Sequence, residues 1–282
     1  MVAMNAEQEL LIDNIPVVVE GEGADAMVMI HGWPDTLRLW DRTVAALSPD
    51  HRCVRFTLPG YEAGAERRTW TIDELCAFFL RVVDAVSPDA PVTLLLHDWG
   101  CFFGYQFYAR HPERVRRIVG VDIGDARSLR KSAGPRTLLS IVAYQNWLAL
   151  AWWIGGRLGD RMMESMVSLV RCPTHDPARS VQQAYPYYMT WWAREGSYRR
   201  AGRAFEPTCP MLFVYGTRKP FMFHADEWLD RLRQGPLNRV VAFETGHWVM
   251  VEQPEGFNAL VREWLHNTAR DSTRLESTAS RV

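Results

Sequence analysis

The chain has little that would tie it to a disulfide framework, a metal, a membrane or a nucleic acid. Its 282 residues include five cysteines, Cys53, Cys76, Cys101, Cys172 and Cys209. The number is odd and the spacing scattered. No Cys-x-x-Cys or mixed Cys/His cluster occurs, which argues against both a disulfide framework and a metal site. A reducing cytoplasm is the compartment such thiols fit best. Neither sign of charge is in excess: 32 Lys+Arg stand against 33 Asp+Glu, a net charge of −1. There is thus no electrostatic case for nucleic acid or an anionic membrane as a partner. The first residues lack a basic n-region, and Asp13, Asn14 and Pro16 interrupt their apolar stretch, unlike a signal peptide. No uninterrupted apolar run approaches bilayer-spanning length, and no internal repeat is present.

What remains is a globular composition, 48% hydrophobic and 23% charged, long enough for one elaborated domain or a domain with an insertion. The excess lies in aromatics, with 12 Trp, 12 Phe and 9 Tyr.

Strand and helix signals alternate along the first part of the chain. Leu10–Ile12 and Val17–Glu20, flanking Asp13-Asn14, read as a strand pair. Buried strands follow at Ala26–Ile30, Cys53–Thr57, Val92–Leu96 and Ile118–Ile123. Helical patterns lie between them, the clearest opening with Thr71 and Glu74 as a capping box and running through Val86. Alternation of this kind implies a mostly parallel sheet covered by helices on both faces. From about Asp125 to Glu206 there are only helical segments, rich in Trp and Tyr, including Tyr144-Gln145-Asn146-Trp147 and Tyr185-Pro186-Tyr187-Tyr188-Met189-Thr190-Trp191-Trp192. Strands resume at Met211–Tyr215 and Val240–Phe243, with helices near Ala225–Leu232 and Glu255–His266. The expected organisation is a core of residues 1–124 and 207–267, a helical cap or lid of 125–206, and a frayed polar tail of 268–282.

The chain reverses most sharply at Leu96-His97-Asp98-Trp99-Gly100-Cys101-Phe102-Phe103-Gly104, where a strand gives way to a helix within a few residues. Such an elbow exposes the side chain at its tip. Here it is a carboxylate, Asp98, where the Gly-x-Ser-x-Gly pattern of hydrolases has serine. Taken alone, Asp98 reads equally well as a helix cap. In a parallel α/β sheet, however, the loops at the strands' carboxyl ends carry function. Those loops include His31–Pro34, Asp98–Gly100, Asp122–Asp125 and Gly246–Trp248. A carboxylate nucleophile forms an ester, and hydrolysing an ester needs a base; His247 has the chemistry and the rim position for that.

With His31-Gly32-Trp33-Pro34, His97-Asp98-Trp99-Gly100 and Gly246-His247 in this order, the chain resembles α/β-hydrolase-fold proteins of the epoxide hydrolase and haloalkane dehalogenase branch. One departure is Leu96, where the family usually has a small residue. The resemblance implies attack of Asp98 on an electrophilic carbon, then hydrolysis of the ester by water that His247 activates. The backbone N–H groups of Trp33 and Trp99 would hold the oxyanion, and Pro34 would fix the first loop. Many relatives carry the third triad member shortly after the strand Met211–Tyr215, where this chain reads Gly216-Thr217-Arg218-Lys219-Pro220; the Lys219 cation cannot serve there. Other relatives carry it after the strand that follows the elbow helix, which selects Asp122, with Asp125 and Asp226 as alternatives.

Epoxide hydrolases of this branch usually supply two cap tyrosines to the oxirane oxygen, and Tyr187, Tyr188, Trp191 and Trp192 are the candidates here. Haloalkane dehalogenases commonly have Asn where this chain has Trp33, which favours epoxide opening over dehalogenation. A non-catalytic ligand-binding member of the fold is a further alternative. The expected partner is a small apolar or aromatic epoxide, bound without a cofactor or metal. A homodimer is an assembly the sequence permits.

Overall fold

The computed structural model describes residues 7–125, 134–177 and 179–279. Its centre is an eight-stranded sheet in the order β1-β2-β4-β3-β5-β6-β7-β8. The strands are β1 (Glu7–Ile12), β2 (Ile15–Glu20), β3 (Ala26–Ile30), β4 (Arg52–Phe56), β5 (Val92–His97), β6 (Val115–Val121), β7 (Met211–Gly216) and β8 (Arg239–Phe243). Asp13 and Asn14 take φ of 51° and 63°, the left-handed pair that a tight hairpin requires, so β1 and β2 pair antiparallel. The β2–β4 pair is also antiparallel, and from β4 to β8 every pairing is parallel.

Residue parity divides the core in two. Val28, Ile30, Leu94, Leu96, Ile118 and Phe213 face one side, with α2 (Ile72–Val86) and α3 (Trp99–Tyr108) packed over them. Met27, Met29, Leu95, Val119, Val121, Leu212 and Val214 face the other, against α1 (Asp41–Leu47) and the last helix. Burying each such side chain contributes about 1.5–3 kcal/mol before entropy is counted. Thr71 and Glu74 form the reciprocal capping box at the start of α2.

Between β6 and β7 the described residues form no strand. They hold α4 (Pro135–Ile154), α5 (Gly156–Leu169), α6 (Tyr185–Trp191) and α7 (Tyr198–Ala201). After β7 come α8 (Asp226–Arg233), α9 (Val249–Glu252) and α10 (Pro254–Ala279). The last helix does not stop near His266, and a frayed tail does not begin at Thr268. Thr268 is buried, accepts a hydrogen bond from Arg117 at 3.0 Å and bonds back to the Trp264 carbonyl at 2.9 Å. A polar residue with such partners continues a helix that its hydropathy alone would have ended. Among the described residues no helix is long and apolar enough to cross a membrane.

Candidate active site

Asp98 sits between β5 and α3 at φ 53° and ψ −123°, a conformation that costs energy for any residue with a Cβ. The surrounding glycines make room for it. A Cβ on Gly100 would lie 2.1 Å from the Ile30 carbonyl oxygen, and one on Gly32 would lie 2.4 Å from both Asp98 Oδ1 and Trp99 N. The unusual Leu96 is accommodated in the same way. Its Cδ2 lies 2.5 Å from where a Gly104 Cβ would be, so the leucine fills space that the helix leaves vacant. Asp98 occupies the N-cap position of α3, yet its side chain makes no capping bond. It points across the rim instead.

One face of this carboxylate meets the loop after β3. The Trp33 N–H donates to Asp98 Oδ1 at 2.7 Å, and the neighbouring Trp99 N–H favours the charged carboxylate. The loop is tied down by buried groups. His31 Nδ1 bonds the Gly32 carbonyl at 2.9 Å, and its Nε2 accepts from Leu58 N–H at 2.8 Å. Asp35 accepts from the Trp248 indole at 2.9 Å and from the Thr174 hydroxyl at 2.5 Å. The Trp33–Pro34 peptide is cis.

The other oxygen of Asp98, Oδ2, lies 3.4 Å from His247 Nε2. His247 Nδ1 is hydrogen-bonded to Asp122 Oδ2, so the imidazole bridges the two carboxylates. Asp122 follows β6, is fully buried and takes φ 72°. Its Oδ1 accepts from Gly216 N–H at 3.0 Å and from the Lys219 ammonium. Of the three acids weighed from the sequence, the structure brings Asp122 to the histidine. Asp226 is exposed at the start of α8, and Asp125 lines the adjoining cavity.

Electrostatics follow from this chain of contacts. Burial would lower the His247 pKa, but Asp122 and then Asp98 outweigh it and raise the imidazole to about 9. Burial likewise opposes ionisation of Asp122, but His247 and Lys219 prevail and hold it down at about 2. Asp98 is lowered too, with His247 and the Trp99 N–H overcoming its desolvation. His97, 4.4 Å ring to ring from His247, is kept neutral by burial and by the neighbouring imidazolium, at about 3.

Above Asp98 lies a cavity of about 450 Å³, lined by Asp98, Trp99, Phe102, Ile123, Leu138, Ile141, Tyr144, Tyr187, Trp191 and Phe223, among others. Two of the aromatic candidates do not reach it. On α6, residues 187, 190 and 191 share the inward face, as i, i+3 and i+4 positions do. Tyr188 instead packs on Trp152 at 4.3 Å, and Trp192 lies half-exposed by Trp153 with its indole donating to Asn146. Trp191 lines the cavity, but its N–H is already given to Gln145 at 2.8 Å. Tyr144 on α4, which is not among the four cap candidates of the sequence, also lines the cavity, its ring 6.2 Å from that of Tyr187. The signal was present in its place on the first long helix of the insert. Burial, and the charge of Asp98, raise the pKa of both hydroxyls and keep them protonated. Among the described residues no cluster of His, Cys, Asp or Glu is placed to hold a metal ion.

The alpha/beta hydrolase fold family matches residues 25–160. The chain is 26% identical over 187 residues to a cis-3-alkyl-4-alkyloxetan-2-one decarboxylase of Shewanella oneidensis, covering 62% of this chain and 54% of that one. It is 23% identical over 328 residues to epoxide hydrolase A of Mycobacterium tuberculosis, covering 93% and 98% respectively. It thus spans about half the length of the first relative and nearly all of the second. Among solved structures, an epoxide hydrolase from Bacillus megaterium superposes with a TM-score of 0.71 at 21% identity, over 92% of this chain and 100% of that one. A haloalkane dehalogenase from Bradyrhizobium elkanii gives 0.69 at 15% identity, over 96% and 99%. The chain has the α/β-hydrolase fold. Within that fold it is similar to epoxide hydrolases.

Proposed function

We propose that this protein is a hydrolase that opens an epoxide to a vicinal diol through an ester on Asp98, with residues 125–206 serving as the cap over the site. The observation that carries this reading is the position of Asp98 Oδ2, 3.4 Å from His247 Nε2 and at the floor of a cavity whose roof presents Tyr144 and Tyr187.

Asp98 Oδ2 attacks an oxirane carbon, and the ring C–O bond breaks. Tyr187 or Tyr144 gives its proton to the departing oxygen, and the His247 imidazolium restores that proton through the site. Esterification removes the negative charge of Asp98, which had favoured imidazolium, so His247 becomes less basic at the moment a base is required. The neutral imidazole then takes a proton from water, whose oxygen adds to Asp98 Cγ. Negative charge collects on Oδ1, the atom that already accepts from the Trp33 N–H, with the Trp99 N–H beside the same carboxylate. Collapse expels the diol oxygen, which takes the proton from His247. The Asp98 carboxyl left behind returns a proton to the imidazole, and the net reaction is epoxide plus water to diol.

Dehalogenation uses the same nucleophile and base but a leaving group that needs no proton. Trp33 supports the epoxide reading against it, because its side chain is buried beside Tyr187 and offers no amide to the cavity. The test is incubation with styrene oxide, 1-bromobutane and a simple oxetan-2-one. Diol from the first, with one heavy oxygen entering Asp98 during a single turnover in H₂¹⁸O, is the expected result. Halide release or loss of CO₂ without diol would replace this reading, and no label in the Asp98 peptide would remove the ester from it.

A further inference from the structure

The Lys219 cation stands where many relatives place the triad acid, and a stray charge at that point would be costly. It is instead 5% exposed and paired with Asp122. We propose that Lys219 is a positioning residue, pinned on Asp122 to supply the positive charge that lets His247 give up its proton once Asp98 is an ester. The proposal rests on the ester mechanism above.

The four linked groups are Asp98, Asp122, His247 and Lys219; with both carboxyls held low and the imidazole raised to about 9, at neutral pH two anions face two cations and the set is neutral. After esterification Asp98 carries no charge, and a neutral His247 leaves only Asp122 and Lys219, which cancel. Without Lys219 the esterified site with a neutral imidazole would hold one unbalanced buried carboxylate against the ring. The imidazole would then keep its proton, because an unpaired buried charge is far more costly than a paired one. Among the described residues no other cation pairs with Asp98 or Asp122. His97 and His224, the neighbouring rings, are held neutral by burial at about 3 and about 4. Arg218 turns outward to Glu244. Asp35, the next carboxylate, stays bonded to Thr174 and Trp248 and takes no part in the reaction. The geometry also fixes direction: Lys219 and Gly216 N–H hold Oδ1, which leaves Oδ2 for His247.

The test combines a titration with kinetics. In histidine-labelled protein, NMR titration of Lys219→Met should show His247 binding its proton about tenfold more tightly or better, with Lys219→Arg close to wild type. With styrene oxide at pH 7, Lys219→Met should accumulate ester, lowering kcat and KM together while kcat/KM is kept, and its acid limb should move to higher pH. A merely structural lysine would lower kcat/KM and leave the limb in place. An unchanged His247 titration in Lys219→Met overturns the proposal. If no epoxide alkylates wild type, the function has failed, and the titration still judges Lys219. If Lys219→Met does not fold, Asp98→Asn stands in for the ester with the lysine present. His247 should then be neutral at pH 8, and an imidazolium persisting there overturns the proposal.

Discussion

Replacing Asp122 by Asn tests the acid assignment most sharply, because an amide has one accepting oxygen where the carboxylate has two. On one side of Asp122 stand two donors, Gly216 N–H at 3.0 Å and the Lys219 ammonium; on the other stands His247 Nδ1. Turning the new NH₂ toward Gly216 and Lys219 would set donors against donors, at about 1–3 kcal/mol for each buried group and more for the charged one. The amide oxygen therefore stays with Lys219, and the NH₂ faces His247. The ring must then accept at Nδ1 and carry its proton on Nε2, where it cannot take one from water. In the serine triads the corresponding change costs about 10⁴-fold, equivalent to about 5.4 kcal/mol of barrier. Alkylation does not need the base, and Asp98 keeps its Trp33 N–H bond at 2.7 Å. Asp122→Asn should therefore react once with styrene oxide and stop. Mass spectrometry after digestion would read a stable adduct on the Asp98 peptide, while Asp226→Asn, exposed at the start of α8, should turn over normally. A variant that makes diol within tenfold of the wild-type rate, or one that forms no adduct although wild type makes diol, would refute the assignment.

His247→Gln should trap the same adduct, since the nucleophile remains and the base is gone; a dead variant without adduct counts against the ester. Tyr144→Phe and Tyr187→Phe should each lower kcat/KM with styrene oxide by about 10²–10³-fold, as loss of one donor to a developing oxyanion does. Tyr188→Phe should fall within a few-fold of wild type, because that ring faces Trp152. His247 also links stability to pH. Its pKa is raised to about 9 from 6.5, so its contribution is complete below about 6.5 and is lost as pH rises through 9. The difference in urea midpoint between wild type and His247→Gln should shrink over that window, and a difference that grows would contradict the pairing. Gly104→Ala should cost about 1–3 kcal/mol by overpacking against Leu96, and Leu96→Ala in the same chain should recover part of it in denaturant unfolding.

Period and turn chemistry made most of the scaffold legible. Asp13-Asn14 marked the hairpin, the Thr71/Glu74 box marked the start of α2, and the buried apolar runs marked the parallel strands. The rim positions of Asp98, Asp122 and His247 followed from strand ends alone, since a parallel sheet delivers all its carboxyl ends to one edge. The cap was harder. Which of Tyr187, Tyr188, Trp191 and Trp192 look inward depends on the rotation of α6 about its axis, and that is set by packing on α4 and on the core rather than by spacing. The aromatic run has apolar rings on both faces, so no hydrophobic stripe pointed to one of them. Lys219 was equally opaque, because its role depends on a partner 97 positions away.

The division between legible and illegible parts matches a division of chemical labour. In the proposed reaction the elbow, the β3 loop and the β8 loop supply a nucleophile, N–H donors and a base, and this set would serve any electrophilic carbon with a displaceable group. It does not choose the leaving group. That choice falls to the roof of the cavity, where Tyr144 and Tyr187 are held protonated by burial and by the charge of Asp98. A halide would gain little from two hydroxyls whose protons it cannot take. An opening oxirane, which becomes a strong base within one bond length of its starting position, would gain a great deal. On the proposed mechanism the inward faces of α4 and α6 would therefore set the reaction, and the sheet below them only that a reaction through Asp98 is available.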